Sequence, residues 1–101
     1  MRRDRCDHRL TVLGSKRDMQ RFRNSPWAKI LRARHQDPLE FSPCRFVCQF
    51  ETTGHHLQRL QILSRRWPGL VLLLDFELEH RRIKGLAKAR AGDLEHCAIG
   101  Y

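Results

Sequence analysis

The first clear pattern in the chain is an alternation of polar and apolar residues over His8–Leu13. A period of two is typical of a β-strand that buries one of its faces. Gly14 then ends the pattern. Ser15, followed three residues later by Asp18, resembles a capping box and predicts that a helix begins at this point.

Apolar residues next recur at helical spacing, in a stripe that we expect to face a core. The stripe consists of Met19, Phe22, Trp27, Ile30 and Leu31. Pro26 interrupts it, because proline inside a helix removes a hydrogen bond and clashes with the preceding turn. Ser25-Pro26 instead indicates a new N-cap followed by proline at the first helical position. We therefore expect a helix over about 15–24, a break, and a shorter helix to about Arg34.

The rest of the chain shows the same two periodicities, after a predicted loop at 36–43 that contains two prolines. A helix is expected to begin at Thr53-Gly54 and to end sharply before Pro68-Gly69. Its inward side chains are Leu57, Leu60, Leu63 and Trp67. The strands expected from alternation are 45–52, 70–79, 82–91 and 94–101.

One hairpin can be predicted in register, with its tip at His80-Arg81. If the turn has two residues, the facing pairs are Glu79 with Arg82, Glu77 with Lys84, and Phe76 with Gly85. The first two pairs join opposite charges, and the third covers a glycine with an aromatic ring. The agreement of all three pairs favours this register.

These elements predict an α+β fold with the order β-α-β-α-β-β-β. The expected architecture is a ferredoxin-like α/β sandwich, in which two helices, the first kinked or broken, cover one face of a mainly antiparallel sheet of about five strands. A chain of 101 residues supports one such two-layer core. We expect a single domain over 1–101, with 1–7 as a flexible basic arm.

Four segments of the sequence also resemble a known family. They are Phe50-Glu51-Thr52 before the second helix, Leu63-Ser64-Arg65-Arg66-Trp67-Pro68-Gly69-Leu70 after it, Asp75-Phe76-Glu77, and Lys84-Gly85. Together they resemble the YubB-type ferredoxin-like domain of bacterial and mobile-element proteins, over about residues 8–12 and 46–90. The resemblance implies the ferredoxin-like fold, and it implies no reaction, ligand or site residue.

The charge adds a hypothesis about a partner. The chain has 20 Lys and Arg against 11 Asp and Glu, a formal net charge of +9. Such an excess attracts nucleic acid through its phosphates. The arginines predicted to make these contacts are Arg2, Arg3, Arg5, Arg17, Arg21, Arg59, Arg65 and Arg66. The central outward strand positions contain no aromatic residue, so stacking of RNA bases on the sheet is disfavoured.

The sequence also bears on location. It contains no apolar run of about 18 residues, and its charged beginning leads into no apolar segment of a signal peptide. We therefore expect a soluble, cytoplasmic protein with reduced thiols.

The cysteines match no metal-binding or redox spacing. Cys44 and Cys48 would lie about 13 Å apart along a strand, which is too far to share one zinc ion. Cys48 is better interpreted as a small buried residue between Phe46 and Phe50. Cys6-Asp7-His8 and His96-Cys97 remain a weaker metal hypothesis, because both lie near strand ends.

Other polar groups have simple interpretations. Asp75, Glu77 and Glu79 face Lys84, Lys88 and Arg90, as expected of cross-strand ion pairs. His55-His56 stands at a helix start, where it is either exposed or the polar handle of a small-ligand pocket between subunits. We predict no catalytic residue, no cofactor and no metal ligand.

One set of apolar residues points away from the helices. It consists of Leu13, Val47, Val71, Leu73 and Leu86. An exposed apolar patch usually has a partner. We therefore predict a homodimer formed through the sheet face by a small non-enzymatic interaction module, with a nucleic-acid-binding protein as the alternative. A larger partner, a loop or a tail could also cover this patch.

Overall fold

The computed structural model describes residues 6–33, 40–52 and 57–101. Within these ranges the chain is α+β, as predicted. The elements are β1 (Cys6–Leu13), α1 (Lys16–Arg23), α2 (Pro26–Ala33), β2 (Glu40–Ser42), β3 (Arg45–Thr52), α3 (Leu57–Arg66), β4 (Val71–Leu78), a 3-10 turn (Glu79–Arg81), β5 (Ile83–Arg90) and β6 (Asp93–Gly100).

All six strands form one antiparallel sheet in the order β2-β3-β1-β4-β5-β6. The strands on either side of β1, β3 and β4, are joined through α3, so β1 is inserted between two strands that follow each other in the chain. The predicted order β-α-β-α-β-β-β is wrong at one point, since 40–42 is a strand. Pro43 suggested a loop, but it lies in the turn between β2 and β3, where it removes no ladder hydrogen bond.

Two serines begin and separate the first two helices, as predicted. The Ser15 hydroxyl accepts a hydrogen bond from the Asp18 backbone N–H at 3.2 Å. The Ser25 hydroxyl donates to the Phe22 carbonyl at 2.5 Å and accepts from the Ala28 N–H at 3.4 Å. Ser25 therefore ends α1 and starts α2. No helix of the described residues is long and apolar enough to cross a membrane.

The helices cover one face of the sheet and enclose the core. The α3 helix packs on β4, β5 and β6, and α2 packs on β3. The Phe22 ring lies edge-on to Phe46 at 5.8 Å and to Trp67 at 5.5 Å between centroids. The larger buried side chains include Leu10, Val12, Met19, Phe22, Phe46, Cys48, Leu60, Leu63, Leu70, Leu72, Leu74 and Phe76.

The stripe predicted for the first helical segment is wrong at Trp27. That side chain is 38% exposed, whereas Ala28 is fully buried. Because the helix restarts at Ser25, the phase of the apolar stripe in α1 does not continue into α2. The side chains of Ile30 and Leu31 lie outside the described part of the chain.

The hairpin register is confirmed, and its turn is longer than predicted. Glu77 lies opposite Lys84, and Phe76 lies opposite Gly85. Any Cβ at Gly85 would collide with the Phe76 ring. Glu79 does not pair with Arg82 as a strand neighbour, since 79–81 forms a 3-10 turn and Arg82 adopts a left-handed conformation with φ 51°.

The last hairpin turns at Ala91-Gly92, one residue earlier than expected. Both residues have positive φ, 50° and 89°, as in the turns that best match the twist of β-hairpins. The Gln61 amide donates to the Gly92 carbonyl at 2.8 Å, and the Gly92 N–H donates to the Ser64 hydroxyl at 3.0 Å. These bonds fasten α3 to the outer hairpin.

The N-terminal boundary of the sheet also differs from the expectation. Cys6 and Asp7 belong to β1, where Cys6 pairs with Thr52, so a basic arm over 1–7 is too long. The first five residues lie outside the described ranges.

Candidate interaction surfaces

The sheet face opposite the helices, which we call the open face, carries four rows of side chains. From one end to the other, the rows are Glu51-Asp7-Glu77-Lys84-Ile99, Gln49-Arg9-Asp75-Leu86-Cys97, Val47-Thr11-Leu73-Lys88-Glu95, and Arg45-Leu13-Val71 next to the pair Arg90-Asp93. Each row crosses β3, β1, β4, β5 and β6 in that order. Neighbours within a row are about 5 Å apart at Cβ.

An apolar strip runs diagonally across the open face. It consists of Leu13, Val71, Leu73, Leu86 and Ile99. Leu13, Val71 and Leu73 are half-buried, and Leu86 is 56% exposed, as the sequence predicts for an outward patch. Ile99 is 67% exposed and extends the strip onto β6; its alternation with Cys97 and Tyr101 is the signal that could have added it.

Val47 does not belong to this strip, although the alternation along 45–52 predicts that it faces outward with the other members of the patch. Its side chain is only 6% exposed. β3 is an interior strand, because β2 pairs with its outer edge and Glu40 lies opposite Val47. Val47 is therefore not available to a partner on the open face.

The two ends of the open face differ in charge. At the end that we call acidic, Asp7 lies between Glu51 and Glu77 on adjacent strands. Within the same row, Lys84 on β5 lies opposite Glu77, and its ammonium is 3.9 Å from the Glu77 carboxylate. The opposite end, which we call basic, contains Arg45 and Arg90. Lys88 stands one row inward, and the acids near it, Asp93 and Glu95, are on the edge strand.

Tyr101 folds over the acidic end. Its hydroxyl donates to the Glu77 carboxylate at 2.5 Å, and the Lys84 ammonium lies 5.1 Å from the centre of its ring. The hydrogen bond to Glu77 is the main reason that the pKa of Tyr101 is raised to about 12. Tyr101 is therefore an aromatic side chain at the edge of the open face, next to β6. The outward positions on the more central strands contain no aromatic residue.

A concavity of about 610 Å³ covers the acidic end and the centre of the open face. All five long strands contribute to its lining, and Arg9, Asp75 and Leu86 are among the lining residues. Charged and apolar side chains are interspersed along the bottom of this concavity. It is therefore better suited to contact a complementary protein surface than to enclose a single small ligand.

The cysteines fall into two classes. Cys6 and Cys48 are buried in the core, and burial raises the pKa of the Cys48 thiol to about 12 and that of Cys6 to about 11. Cys44, in the β2–β3 turn, and Cys97, on the open face, are exposed. The prediction that Cys48 is a small core residue is confirmed.

The structure does not bring the remaining predicted metal ligands together. β1 and β6 are separated by two strands, about 14 Å, so Cys6 and His8 cannot share an ion with His96 or Cys97. His8 is buried and stacks on Phe50 at 4.9 Å between ring centres. Among the residues described, no three His, Cys, Asp or Glu side chains could hold a metal ion. His55 and His56 lie outside those ranges.

The outer side of α1, α2 and α3, which we call the helix layer, is strongly basic. These three helices contain nine Lys and Arg and one acid, Asp18. Of the arginines predicted to contact nucleic acid, Arg17, Arg21, Arg59, Arg65 and Arg66 are exposed on this layer. Arg2, Arg3 and Arg5 lie outside the described part of the chain.

Three arginines of the helix layer differ in their surroundings. Arg65 lies against the β5–β6 turn, beside Gly92. The Arg66 guanidinium lies 6.0 Å from the centre of the half-exposed Trp27 ring. Arg23 donates hydrogen bonds to the carbonyls of Ser42 and Arg45, so it fastens α1 to the β2–β3 hairpin.

Comparison with known proteins found no matching family model, no matching curated protein and no matching solved structure. The assignment of function therefore depends on the chemistry of the open face and the helix layer.

Proposed function

We propose that this chain is a small non-enzymatic interaction module that forms a homodimer by stacking the open faces of two copies. The supporting observation is the apolar strip, which lies on the side of the sheet away from all three helices. Leaving Leu86 and Ile99 in water is unfavourable, and burying them against a second copy removes apolar area from water.

The charges of the open face specify how the two copies are oriented. A two-fold axis that reverses the strand direction places the acidic end of one copy over the basic end of the other. Because this axis keeps each strand over the same strand of the partner, Glu51 of each copy then lies over Arg45 of the other, and the apolar strips cross at the centre. A two-fold axis along the strands would instead place Glu77 of one copy over Glu77 of the other.

The size of the open face suits a dimer. Five strands about 4.8 Å apart, with about seven residues of roughly 3.3 Å each, outline about 550 Å² per copy. Side chains project from the sheet, so the accessible area of the open face is larger than this planar estimate. The total area buried by two copies therefore reaches the lower range of stable interfaces, about 1,200 Å².

We also propose that the fold is ferredoxin-like and of the YubB type. The split β-α-β arrangement of β3, α3 and β4 around β1 supports the fold proposal, and the helix-to-strand junction at 63–70 supports the resemblance. The free thiols support a reducing, cytoplasmic location.

The test is molecular mass in solution, measured by sedimentation velocity over a range of concentrations up to roughly 1 mM. We expect the wild-type chain to dimerise and Leu73→Lys to remain monomeric, because lysine would bury a charge at the centre of the contact. Ile62→Lys, on exposed α3, is the matched control and should dimerise normally.

A wild-type chain that stays monomeric at every concentration would contradict the proposal. So would a dimer that tolerates Leu73→Lys, because that result would indicate pairing elsewhere. The free edge of β6 is such a place in the described sheet, and pairing there would leave Leu73 uncovered.

A further inference from the structure

Almost all of the net charge belongs to the helix layer. With nine basic residues against Asp18, its three helices have a formal charge of +8 in a chain of +9. The described open-face residues, by contrast, include five bases and six acids. A general bias toward arginine in the sequence would raise the positive charge of both surfaces. The concentration of positive charge on the helix layer therefore indicates a polyanionic partner for that surface.

The exposed arginines are arranged along the helices. Arg17 and Arg21 lie one turn apart on α1, and Arg59 and Arg66 lie about two turns apart on α3. Spacings of one and two helical turns, about 5 and 10 Å, place pairs of positive charges along each of the two helices. The long arginine side chains can adjust to a flexible backbone.

Trp27 provides a second kind of contact on the same surface. The residue is 38% exposed, and the Arg66 guanidinium lies 6.0 Å from the centre of its ring. A half-exposed indole beside an arginine can stack an unpaired base, which duplex nucleic acid does not offer.

A membrane surface fits these residues less well. The apolar stripes of α1 and α3 face the sheet, with Met19, Phe22, Leu60 and Leu63 buried. An interfacial helix would need its apolar side free to enter the lipid.

We infer that the helix layer binds single-stranded nucleic acid without base specificity, using Arg17, Arg21 and Arg59 on phosphates and Trp27, supported by Arg66, on a base. The surface lies on the opposite side of the sheet from the proposed dimer contact. It therefore does not depend on self-association.

The test is fluorescence anisotropy with a labelled oligothymidine of about 20 nucleotides, repeated over a range of salt concentrations. Affinity should fall as salt rises, with a slope of about 0.7 per phosphate contact. Arg17→Glu with Arg21→Glu should lower the affinity at low salt at least tenfold and reduce the slope by about 1.4. Arg81→Glu with Arg82→Glu, at the β4–β5 turn, makes the same change in net charge and should have little effect.

Trp27→Ala should weaken binding of the single strand by about fivefold or more, and it should leave binding of the corresponding duplex unchanged. Trp27→Phe should retain most of the affinity, and Ile62→Ala, also exposed on the helix layer, serves as the control.

Three results would overturn the inference. They are no binding by the wild-type chain at low salt, an equal loss from the two arginine pairs, and tighter binding to phosphatidylserine vesicles than to the oligonucleotide. None of them bears on the dimer, whose own test is molecular mass.

Discussion

The helix layer and the open face belong to the same small core, yet they differ in both charge and apolarity. The outer sides of the helices are basic, and their exposed large apolar residues are Trp27 and Ile62 in the described part. The open face balances its charges and carries a strip of apolar side chains. This difference is the basis of the two proposals, a polyanionic partner on one side and a second copy of the chain on the other.

The two surfaces also differ in the energetic cost of placing a charged side chain on them. Arginines on the outer side of a helix cost little packing energy, so they can accumulate there. On a sheet face, each charge has direct cross-strand neighbours, and the pairs Glu77–Lys84 and Arg90–Asp93 bring opposite charges together. The row of Asp7, Glu51 and Glu77 departs from this rule, because three acids lie side by side on adjacent strands.

Two adjacent leucines on β4 give the strongest comparison. Leu72 is fully buried under the helices, whereas Leu73 is half-buried on the open face. Leu72→Ala should lower the free energy of unfolding by about 2–5 kcal/mol. Leu73→Ala should lower the free energy of unfolding of the monomer by less than about 1 kcal/mol, and it should weaken the dimer. Chemical denaturation at low protein concentration measures both, and equal losses would contradict the two-face description.

Thiol labelling separates the buried from the exposed cysteines and also reports on the dimer. At neutral pH, Cys44 and Cys97 should react rapidly with a thiol reagent. Cys6 and Cys48 should react only after unfolding, because burial blocks access and raises their pKa. If open faces stack, labelling of Cys97 should slow at least tenfold at high protein concentration, while Cys44 stays reactive. Equal rates at all concentrations would argue against stacking.

Charge reversal sharpens the proposed orientation of the dimer. Glu51→Arg alone and Arg45→Glu alone should each weaken self-association by about three- to tenfold, since each brings like charges together across the interface. The double variant should recover much of the wild-type affinity. Sedimentation of the three variants measures this coupling, and simple addition of the two losses would exclude contact between these ends.

The smallest effect concerns Tyr101, the single tyrosine of the chain. Its pKa is raised to about 12, mainly by the hydrogen bond to Glu77, so the folded state favours the neutral phenol. The associated stabilisation is complete below about pH 10 and is lost as pH rises through about 12. Glu77→Gln should move the tyrosinate absorbance transition toward its ordinary midpoint. An unchanged transition would mean that Tyr101 does not contact Glu77 in solution.

Local patterns account for much of the fold. The alternation in β1 and β4, the serine caps of α1 and α2, and the pairing of Phe76 with Gly85 were all predictable, because each depends on residues within a few positions or across one hairpin. The apolar residues Leu13, Val71, Leu73 and Leu86 were likewise placed on the correct face. A period of two determines which side chains share a face once one of them is known to be buried.

What the sequence by itself determined is therefore the period and the buried face of the five long strands, of α1 and of α3, and the two surfaces that follow from them. Tertiary structure decided where elements separated in the chain meet. The insertion of β1 between β3 and β4 places Asp7 between Glu51 and Glu77, and 40–42 pairs with β3 as a sixth strand. Val47 is buried although it lies on the same face as Leu73. The restart of the helix at Ser25 exposes Trp27. Such outcomes depend on long-range register and on packing, which no short window of sequence contains.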